Sequence, residues 1–288
     1  MILAKTRGRF GNELFFLAAL VAVRRRGEKI VAKGFEDLEA EFPNYRKMFP
    51  FLHLISEEQW NRYHIDKVSR KLKIARVASN LTYSRQEGSL IRSRALTRLA
   101  ILAFGYFQDE RLLDESPVLA LRRELASRNR SLIQDLGLSL HGQSSVPHCF
   151  VHVRRGDYLD WPDKDFPAAL PSSWFISKIE HIRSLNPKTR FLVFSDDNSY
   201  CKAHFSEINN LEILELGVSE TFLAMSLCES GITSASTLSW WAAKLAHSKS
   251  NGIFIAPKYW ASWPRRKWSE GDAFQFSSFL KWHTVLED

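Results

Sequence analysis

The amino-acid sequence predicts an α/β protein built on parallel, doubly wound sheets. Short apolar runs of strand length alternate with helical runs of roughly ten to fifteen residues over much of the chain. A glycine turn joins the first strand to the first helix, which is the order of a βαβ unit. With 288 residues, the chain is long enough for one large domain or two ordinary ones.

The N-terminal residues predict a strand, a turn and a buried helix. The strand is "MILAKT", the turn is "GRFGNE", and the helix covers 14–27, closed by three arginines and Gly27. Its apolar run resembles a signal peptide, but arginines stand where small cleavage-site residues are expected. It is also shorter than the ~20 residues that cross a bilayer. A second strand, "KIVAKG", follows, and we expect a soluble or peripheral protein.

A polar segment at 139–148 divides the rest of the chain. Before it, residues 35–140 are mostly helical and strongly charged. After it, a second alternating series begins. The strands of that series are predicted at 149–153, 190–197, 211–217, 231–236 (a short strand and a turn) and 252–257, and its helices at 171–186, 199–207, 220–230 and 237–248. We therefore predict an N-terminal α/β domain over 1–145 and a C-terminal one over 146–288.

The net charge of +8 arises from one segment. Ten basic and two acidic residues lie between Arg62 and Arg98, so the remainder of the chain is balanced. A solvated helical face, a contact with anionic membrane lipid and an acidic acceptor all suit such a segment. Nucleic-acid binding is a rival interpretation, but Tyr83 is the lone candidate there for a stacking aromatic.

The cysteines argue against disulfide and zinc chemistry. Cys149, Cys201 and Cys228 are widely spaced and form no CxxC pair. This pattern fits a reducing compartment. No metal site is expected from it.

Ligands of doubly wound sheets bind at the carboxyl ends of the strands. This rule selects the residues just after each predicted strand as candidates. They are found at 8–12, 154–157, 195–197, 234–239 and 257–260. We expect these five loops to converge on one cleft.

Two adjacent arginines, Arg154 and Arg155, follow the strand at 149–153. A guanidinium is a planar fork of donors that matches phosphate oxygens two at a time, so a strand-end arginine suits a phosphate. A structural pair with Asp157 is the alternative. The turn "GRFGNE" adds backbone N–H groups at a helix start, which attract anions. It also fits an ordinary tight turn.

The other strand ends carry acids and hydroxyls. Asp196 and Asp197 suit helix capping or recognition of the N–H edge of guanine. Metal binding is a third interpretation, but the sequence has no second acidic or histidine cluster to support it. Three hydroxyls, those of Ser236, Thr237 and Ser239, stand at the start of a helix and suit capping. The tryptophans after them, Trp240 and Trp241, suit the core. His152 alternates with two valines and is expected on the opposite face of its strand.

Together these motifs resemble the α-1,2-fucosyltransferases, glycosyltransferase family 11. The resemblance rests on "GRFGNE", "GYFQDE", "HVRRGDY", "FSDD", "SASTLSWWAA" and "IAPKYW", in this order between residues 8 and 260. It implies a GT-B fold of two facing Rossmann-like domains, with the acceptor on the N-terminal side and GDP-fucose on the C-terminal side. It also implies transfer of L-fucose from GDP-β-L-fucose to the 2-hydroxyl of a galactoside, with inversion and without a metal or other cofactor.

The resemblance also implies roles for particular residues. Arg154 would hold the β-phosphate, while Arg155 supports it or pairs with a carboxylate. Contacts to guanosine would come from His152 and one acid, Asp197 in preference to Asp196. The remaining donor contacts would come from Arg9, Phe10, Gly11, Asn12, Ser236 and Thr237.

The general base is expected among the acids after the two arginines. Asp157 is the first choice because a carboxylate there can take the proton of an acceptor hydroxyl. Asp160, Asp163 and Asp165 are alternatives, and Asp157 also suits the orientation of an arginine.

The chain departs from the family pattern at a few positions. Glu13 replaces glutamine, Ala235 asparagine, Leu238 phenylalanine and Glu220 aspartate. These differences leave the acceptor open. A bacterial-type cytoplasmic enzyme is implied, with peripheral contact to the inner membrane face as a hypothesis for the basic segment. The rivals are a fucosyltransferase of another linkage or acceptor, an inactive sugar-nucleotide binder and a nucleic-acid-binding protein.

Overall fold

The computed structural model describes most of the chain. The described residues are 2–6, 8–62, 101–104, 110, 113–140, 144–161, 164–165, 167–250, 252–257 and 280–283. They form two compact units, Met1–Ala120 and Leu121–Asp288. The predicted domain boundary after residue 145 therefore falls inside the second unit. The basic segment beyond Arg62 and most of the "GYFQDE" motif lie outside the described residues.

The first unit contains a four-stranded parallel sheet of order β3-β2-β1-β4. The strands are β1 (Ile2–Lys5), β2 (Ile30–Lys33), β3 (Leu52–Leu54) and β4 (Ile101–Phe104). The helices are α1 (Phe10–Val23), α2 (Glu36–Glu41), α3 (Tyr45–Met48) and α4 (Glu57–Arg62). The predicted strand–turn–helix–strand start is confirmed, and α1 is buried over most of its length as expected. It begins four residues earlier than predicted, at Phe10, because Gly8 takes a φ of +113° and completes the turn sooner.

Glu13 joins α1 to the start of α2. Its two carboxylate oxygens accept hydrogen bonds from the backbone N–H groups of Asp37, at 3.2 Å, and Leu38, at 2.6 Å. In return, the carboxylate of Asp37 accepts from the backbone N–H of Phe10, at 2.8 Å. Each helix start is thus capped by an acid from the other helix.

The second unit contains a six-stranded parallel sheet of order β10-β9-β8-β5-β6-β7. The strands are β5 (His148–Val153), β6 (Arg190–Ser195), β7 (Leu211–Leu214), β8 (Ser230–Ile232), β9 (Phe254–Pro257) and β10 (Leu280–His283). The helices are α5 (Ser116–Arg128), which begins in the first unit, α6 (Arg130–Asp135), α7 (Ser172–Leu185), α8 (Asn198–Phe205), α9 (Val218–Met225) and α10 (Thr237–His247). The chain runs from the central β5 out to β7 and returns to β8 on the other side. This is the Rossmann order, with its switch point between β5 and β8.

The strand β5 is buried on both faces. Cys149, Val151 and Val153 pack in a core cluster with α7 residues such as Phe175. On the other face, Phe150 lies over Gly231, where an added Cβ would come within 2.2 Å of the ring. Burial of both faces anchors the strand end that carries the arginines.

No helix in the described part of the chain combines the length and apolar character that a membrane crossing requires.

Candidate functional site

The end of β5 is tied to the loop that follows β8. The backbone N–H of Arg154 donates to Ser234 Oγ at 2.9 Å, and this hydroxyl donates to the carbonyl of His152 at 2.7 Å. Ser234 therefore holds together the two loops that flank the switch point. The segment 231–236 is predicted as a short strand and a turn, and the structure agrees: β8 ends at Ile232 and the loop follows it.

The guanidinium of Arg154 is held between two carboxylates. Its Nη1 lies 2.7 Å from Asp196 Oδ2, and its Nη2 pairs with Asp157 Oδ1. The Arg154 carbon Cζ lies 5.5 Å from the centre of the Tyr158 ring. The side chain is 21% exposed, so it is not fully enclosed by these partners.

Arg155 faces a different environment. Its Nε lies 3.2 Å from Asp197 Oδ2, and its Cζ lies 3.4 Å from the centre of the Tyr200 ring. Its backbone N–H donates to Asp196 Oδ1 at 2.8 Å. An arginine that is paired, stacked and half-buried acts as a brace for the loop. The two neighbouring arginines are thus not equivalent.

The acids after β6 are engaged within the protein. Asp197 accepts from the backbone N–H of Tyr200 at 3.0 Å and caps α8, as the capping interpretation predicts. Asp196 contacts both arginines. Its carboxylate lies so close to Gly156 that an added Cβ there would come within 2.5 Å of it. Glycine at this position lets the two loops approach each other.

The start of α10 forms the other wall of the crevice. Ser236 is its N-cap residue, with an extended backbone and no side-chain capping bond, and its N–H donates to the carbonyl of Ser234 at 2.7 Å. Thr237 is the first helical residue. N–H groups at the start of a helix of this length attract anions. Trp240 and Trp241 are buried, which confirms their assignment to the core.

His152 lies on the face of β5 opposite Val151 and Val153, as predicted. It is 6% exposed. Burial, reinforced by the charge of Arg154, lowers the pKa of His152 to about 3. The imidazole is therefore neutral at physiological pH, and its Nδ1 has no hydrogen-bond partner in the described part of the chain.

The remaining predicted donor residues belong to the first unit and lie at the start of α1. Phe10 and Gly11 are buried, whereas Arg9 is exposed and Asn12 is half-buried. The backbone N–H of Asn12 donates to the carbonyl of Arg9 at 2.8 Å, within the turn. Among these four residues, Arg9 and Asn12 are the two whose side chains are not buried.

The candidate bases differ in their surroundings. Asp157 is exposed over 54% of its side chain and pairs with Arg154. Asp160 is exposed and lies 3.9 Å from Lys164. Asp165 is exposed, and Asp163 lies outside the described residues.

Two contributors to the site were not singled out as site residues from the sequence. Tyr158 donates its hydroxyl to the carbonyl of Ala235 at 2.6 Å, and burial raises its pKa. Ser234 makes the bonds described above. Ser234 and Tyr158 each lie a few residues after the end of a strand, and Tyr158 stands four residues after Arg154. This position along the chain is the sequence feature that could have identified them as site residues.

The arrangement suits a bound diphosphate at the switch point. A partly exposed arginine, hydroxyl groups and an uncapped helix start supply hydrogen-bond donors, and the neutral His152 lies near the end of β5. Within the described residues, no group of three His, Cys, Asp or Glu side chains is placed to hold a metal ion.

Comparison with solved structures identifies the fold. The chain is similar to the fucosyltransferase NodZ from Bradyrhizobium, with a TM-score of 0.56 and 16% identity over 88% of this chain and 94% of that one. A NodZ α-1,6-fucosyltransferase soaked with GDP-fucose gives a TM-score of 0.50 at 17% identity, over 85% and 92% of the two chains. The fold is therefore that of a GT-B glycosyltransferase.

The family follows from the sequence profile. Residues 40–279 match Glycosyl transferase family 11, and the chain belongs to this family. It is similar to the Escherichia coli O-antigen biosynthesis glycosyltransferase WbnK, with 31% identity over 169 residues, which is 54% of each chain. It is also similar to an Escherichia coli alpha-1,2-colitosyltransferase, with 27% identity over 168 residues, again 54% of each. The chain spans about half the length of these curated relatives.

Proposed function

We propose that the protein transfers L-fucose from GDP-β-L-fucose to the 2-hydroxyl of a galactoside, in the synthesis of a cell-surface glycan. Membership of glycosyltransferase family 11 and the printed names of the relatives support this proposal. The observation that carries it is the placement of Arg154, which follows β5 at the switch point of the second sheet and has a partly exposed side chain. Ligands of such sheets bind at that point.

In the proposed complex, the diphosphate lies between the end of β5 and the start of α10. Arg154 binds the β-phosphate, while Ser236 and Thr237 add hydroxyl and backbone donors. Guanosine lies toward His152 and Asp197. Arg9, Phe10, Gly11 and Asn12 of the first unit contact the pyrophosphate and fucose.

The proposed reaction is a direct displacement at the anomeric carbon of fucose. The 2-hydroxyl oxygen of galactose attacks this carbon, and the bond to the β-phosphate oxygen breaks with its electron pair leaving on GDP. Arg154 stabilises the negative charge that builds on that phosphate. The hydroxyl proton passes to a carboxylate, which we propose is Asp157.

The pairing of Arg154 with Asp157 implies that donor binding comes before proton transfer. A β-phosphate that binds Arg154 competes with the Asp157 carboxylate for the same guanidinium. The phosphate displaces Asp157 and leaves its carboxylate able to accept a proton. In this scheme, donor binding produces the base that the transfer needs.

The decisive experiment measures GDP release from GDP-fucose with lactose as the acceptor and EDTA present. EDTA is included because we propose that protein cations, rather than a metal, neutralise the diphosphate. Wild type is compared with Arg154→Ala and with Arg183→Ala, a matched loss of one arginine from α7. Two charge-assisted hydrogen bonds at roughly 1.5–3 kcal/mol each predict a loss of about two to four orders of magnitude for Arg154→Ala alone.

The other outcomes identify the alternatives. Equal loss in the two variants contradicts the role of Arg154, and GDP binding without turnover with any of several galactosides points to an inactive binder. Absence of GDP binding overturns the proposal. Steep salt dependence of RNA binding would then favour the nucleic-acid hypothesis, whose basic segment lies outside the described residues apart from Arg62.

The sugar and the linkage need separate measurements. One relative is named as an alpha-1,2-colitosyltransferase, and colitose is the 3-deoxy form of L-fucose. GDP-colitose is therefore the competing donor to test at equal concentration. NMR of the product distinguishes an α-1,2 link from an α-1,6 or other link.

We also propose that the enzyme works in the cytoplasm at the inner face of the membrane, where the basic segment contacts anionic lipid. Co-sedimentation with anionic vesicles at low salt is expected. Failure to sediment there contradicts the membrane contact without affecting the proposed reaction.

A further inference from the structure

A cavity lies within the second unit, at the end of the sheet that is opposite to Arg154. Its volume is about 700 Å³. Its walls come from α5, α6 and chain segments that lead into β5 and β9, so it lies at the amino ends of these strands. The proposed donor site lies at the carboxyl ends. The two sites are therefore separate.

Four cations line this cavity: Arg122, Arg123, Arg130 and Lys249. Among the described residues, no carboxylate lines it, and none of the four cations makes an ion pair. Uncompensated positive charge around a concave surface raises the local concentration of anions. The cavity thus has the electrostatic character of an anion site.

Arg122 is the fixed part of this site. It is 5% exposed, its Nε donates to Ser226 Oγ at 2.8 Å, and its Nη2 donates to the carbonyl of Ser226 at 2.9 Å. Neutral partners thus hold the guanidinium in place without neutralising its charge. A buried guanidinium without a carboxylate is costly, and an anion in the cavity would reduce that cost.

Lys249 completes the cationic side. Its Nζ donates to the carbonyl of Leu140 at 3.2 Å, which places it against the cavity wall. Burial and the charges of Arg122 and Arg123 lower its pKa. Three cations of the cavity are therefore close enough to repel one another, and a multiply charged anion is the ligand that relieves this repulsion.

The cavity also has an apolar lining. Ala126, Ile133 and Leu138 contribute to it, and all three are buried. A ligand that fills the volume therefore needs an anionic end and an apolar body.

We propose that this cavity binds a phosphate ester, with the phosphate between Arg122, Arg123 and Lys249 and the organic part against Ile133 and Leu138. The phosphate has the charge and the acceptor oxygens that a group of guanidinium and ammonium donors recognises. This inference is independent of the proposed transfer reaction.

The test is a calorimetric titration with inorganic phosphate. Wild type is compared with Arg123→Gln/Lys249→Gln and with Lys178→Gln/Lys188→Gln, a control that removes the same charge from around α7. Arg122 is left intact because it anchors Ser226. We expect the first double variant to raise the Kd at least tenfold, roughly the effect of one lost charge-assisted hydrogen bond, and the control to change it by less than about twofold.

Repeating the titrations on an Arg154→Ala background separates this site from the proposed donor site. The difference between the two double variants persists there if the cavity binds phosphate. Equal Kd values for the two double variants, or a difference that disappears with Arg154, overturn the proposal.

Two probes distinguish the source of the phosphate. Flotation with vesicles of phosphatidylglycerol in phosphatidylcholine tests a lipid headgroup, and glycerol 3-phosphate tests a free ester. If Arg123→Gln/Lys249→Gln weakens binding of the vesicles or of glycerol 3-phosphate, and the control does not, the result supports the site and identifies its ligand. Insensitivity of both overturns it.

Discussion

At the residue scale, the proposed donor complex makes Asp157 and the donor's β-phosphate competitors for the guanidinium of Arg154. Asp157 pairs with Arg154 while more than half of its own side chain stays in solvent. An exposed ion pair of this kind contributes little to stability, about 0–1 kcal/mol. Its carboxylate is therefore easily displaced from Arg154 by a phosphate.

Substitution of Asp157 by asparagine should have opposite effects on binding and turnover. Removing the competing charge frees Arg154, so we expect GDP to bind several-fold more tightly. Removing the proposed base should lower kcat by about two to four orders of magnitude. Calorimetry with GDP and initial rates with GDP-fucose measure the two effects separately.

Asp160→Asn serves as the comparison. It lies in the same loop and does not contact Arg154 within the described residues, so GDP affinity should stay unchanged. If Asp160→Asn rather than Asp157→Asn lowers kcat, the base has been misassigned. Weaker GDP binding in Asp157→Asn contradicts the competition.

The sequence predicts the candidate residues better than their partners. Arg154, His152 and the acids after β6 are recognisable because each stands at a strand end. The different surroundings of the two arginines are not recognisable from the sequence. The partners of Arg155, Asp197 and Tyr200, lie 42 or more residues away along the chain. Ser234 is hidden for the same reason: its bond to Arg154 spans 80 residues.

At the scale of elements, Glu13 makes the contact between α1 and α2 sensitive to pH. It is 1% exposed, and burial raises its pKa to about 8 against two opposing backbone hydrogen bonds. The folded protein therefore binds a proton that the unfolded chain, with an ordinary glutamate pKa near 4.5, releases. Stability from this group is fully present below pH 4.5 and is lost as pH rises through about 8.

Glu13→Gln should remove this dependence, because a neutral amide has no proton to lose. The amide NH2 of the variant cannot accept the second of the two backbone hydrogen bonds, and this loss is the same at every pH. We therefore expect the free energy of unfolding of the variant, relative to that of wild type, to increase by a few kcal/mol between pH 5 and pH 8.5. Urea unfolding midpoints at pH 5, 7 and 8.5 provide the measurement. Glu58→Gln, an exposed position on α4, is the control, and a parallel shift of Glu13→Gln at all three pH values would contradict the explanation.

Element prediction works where the pattern is local. The apolar run in α1 and the buried β5 follow from composition alone, whereas the start of α1 depends on the left-handed φ of Gly8. The capping of α2 by Glu13 depends on residues 24 and 25 positions away. No periodicity in the sequence reveals that contact.

At the scale of the whole molecule, strand order determines the position of the proposed donor site. The alternation of strands and helices predicts parallel sheets, but not that β5 is central with β8 beside it. That order creates the switch point, and with it the crevice between Arg154 and the start of α10.

Hydrogen exchange should map donor binding onto both units. At 100 times its Kd, GDP adds about 2.7 kcal/mol of stability, and exchange should slow in peptides covering 154–158, 195–200 and 234–239. With GDP-fucose, it should also slow at 8–12 if Arg9 and Asn12 contact the pyrophosphate and fucose. Unchanged exchange at 234–239 with saturating GDP contradicts the site, and unchanged exchange at 8–12 contradicts the role of the first unit alone.

The central position of β5 also has a consequence for synthesis of the chain. β5 leaves the ribosome before β8, and at about 5–20 residues per second the 80 residues from Arg154 to Ser234 take roughly 4–16 s. Throughout that interval, the edge of β5 that pairs with β8 in the folded protein has no neighbour, although every residue of this strand is buried in the folded state; an unpaired edge of this kind favours aggregation. The nascent protein is therefore most dependent on chaperones between these two strands.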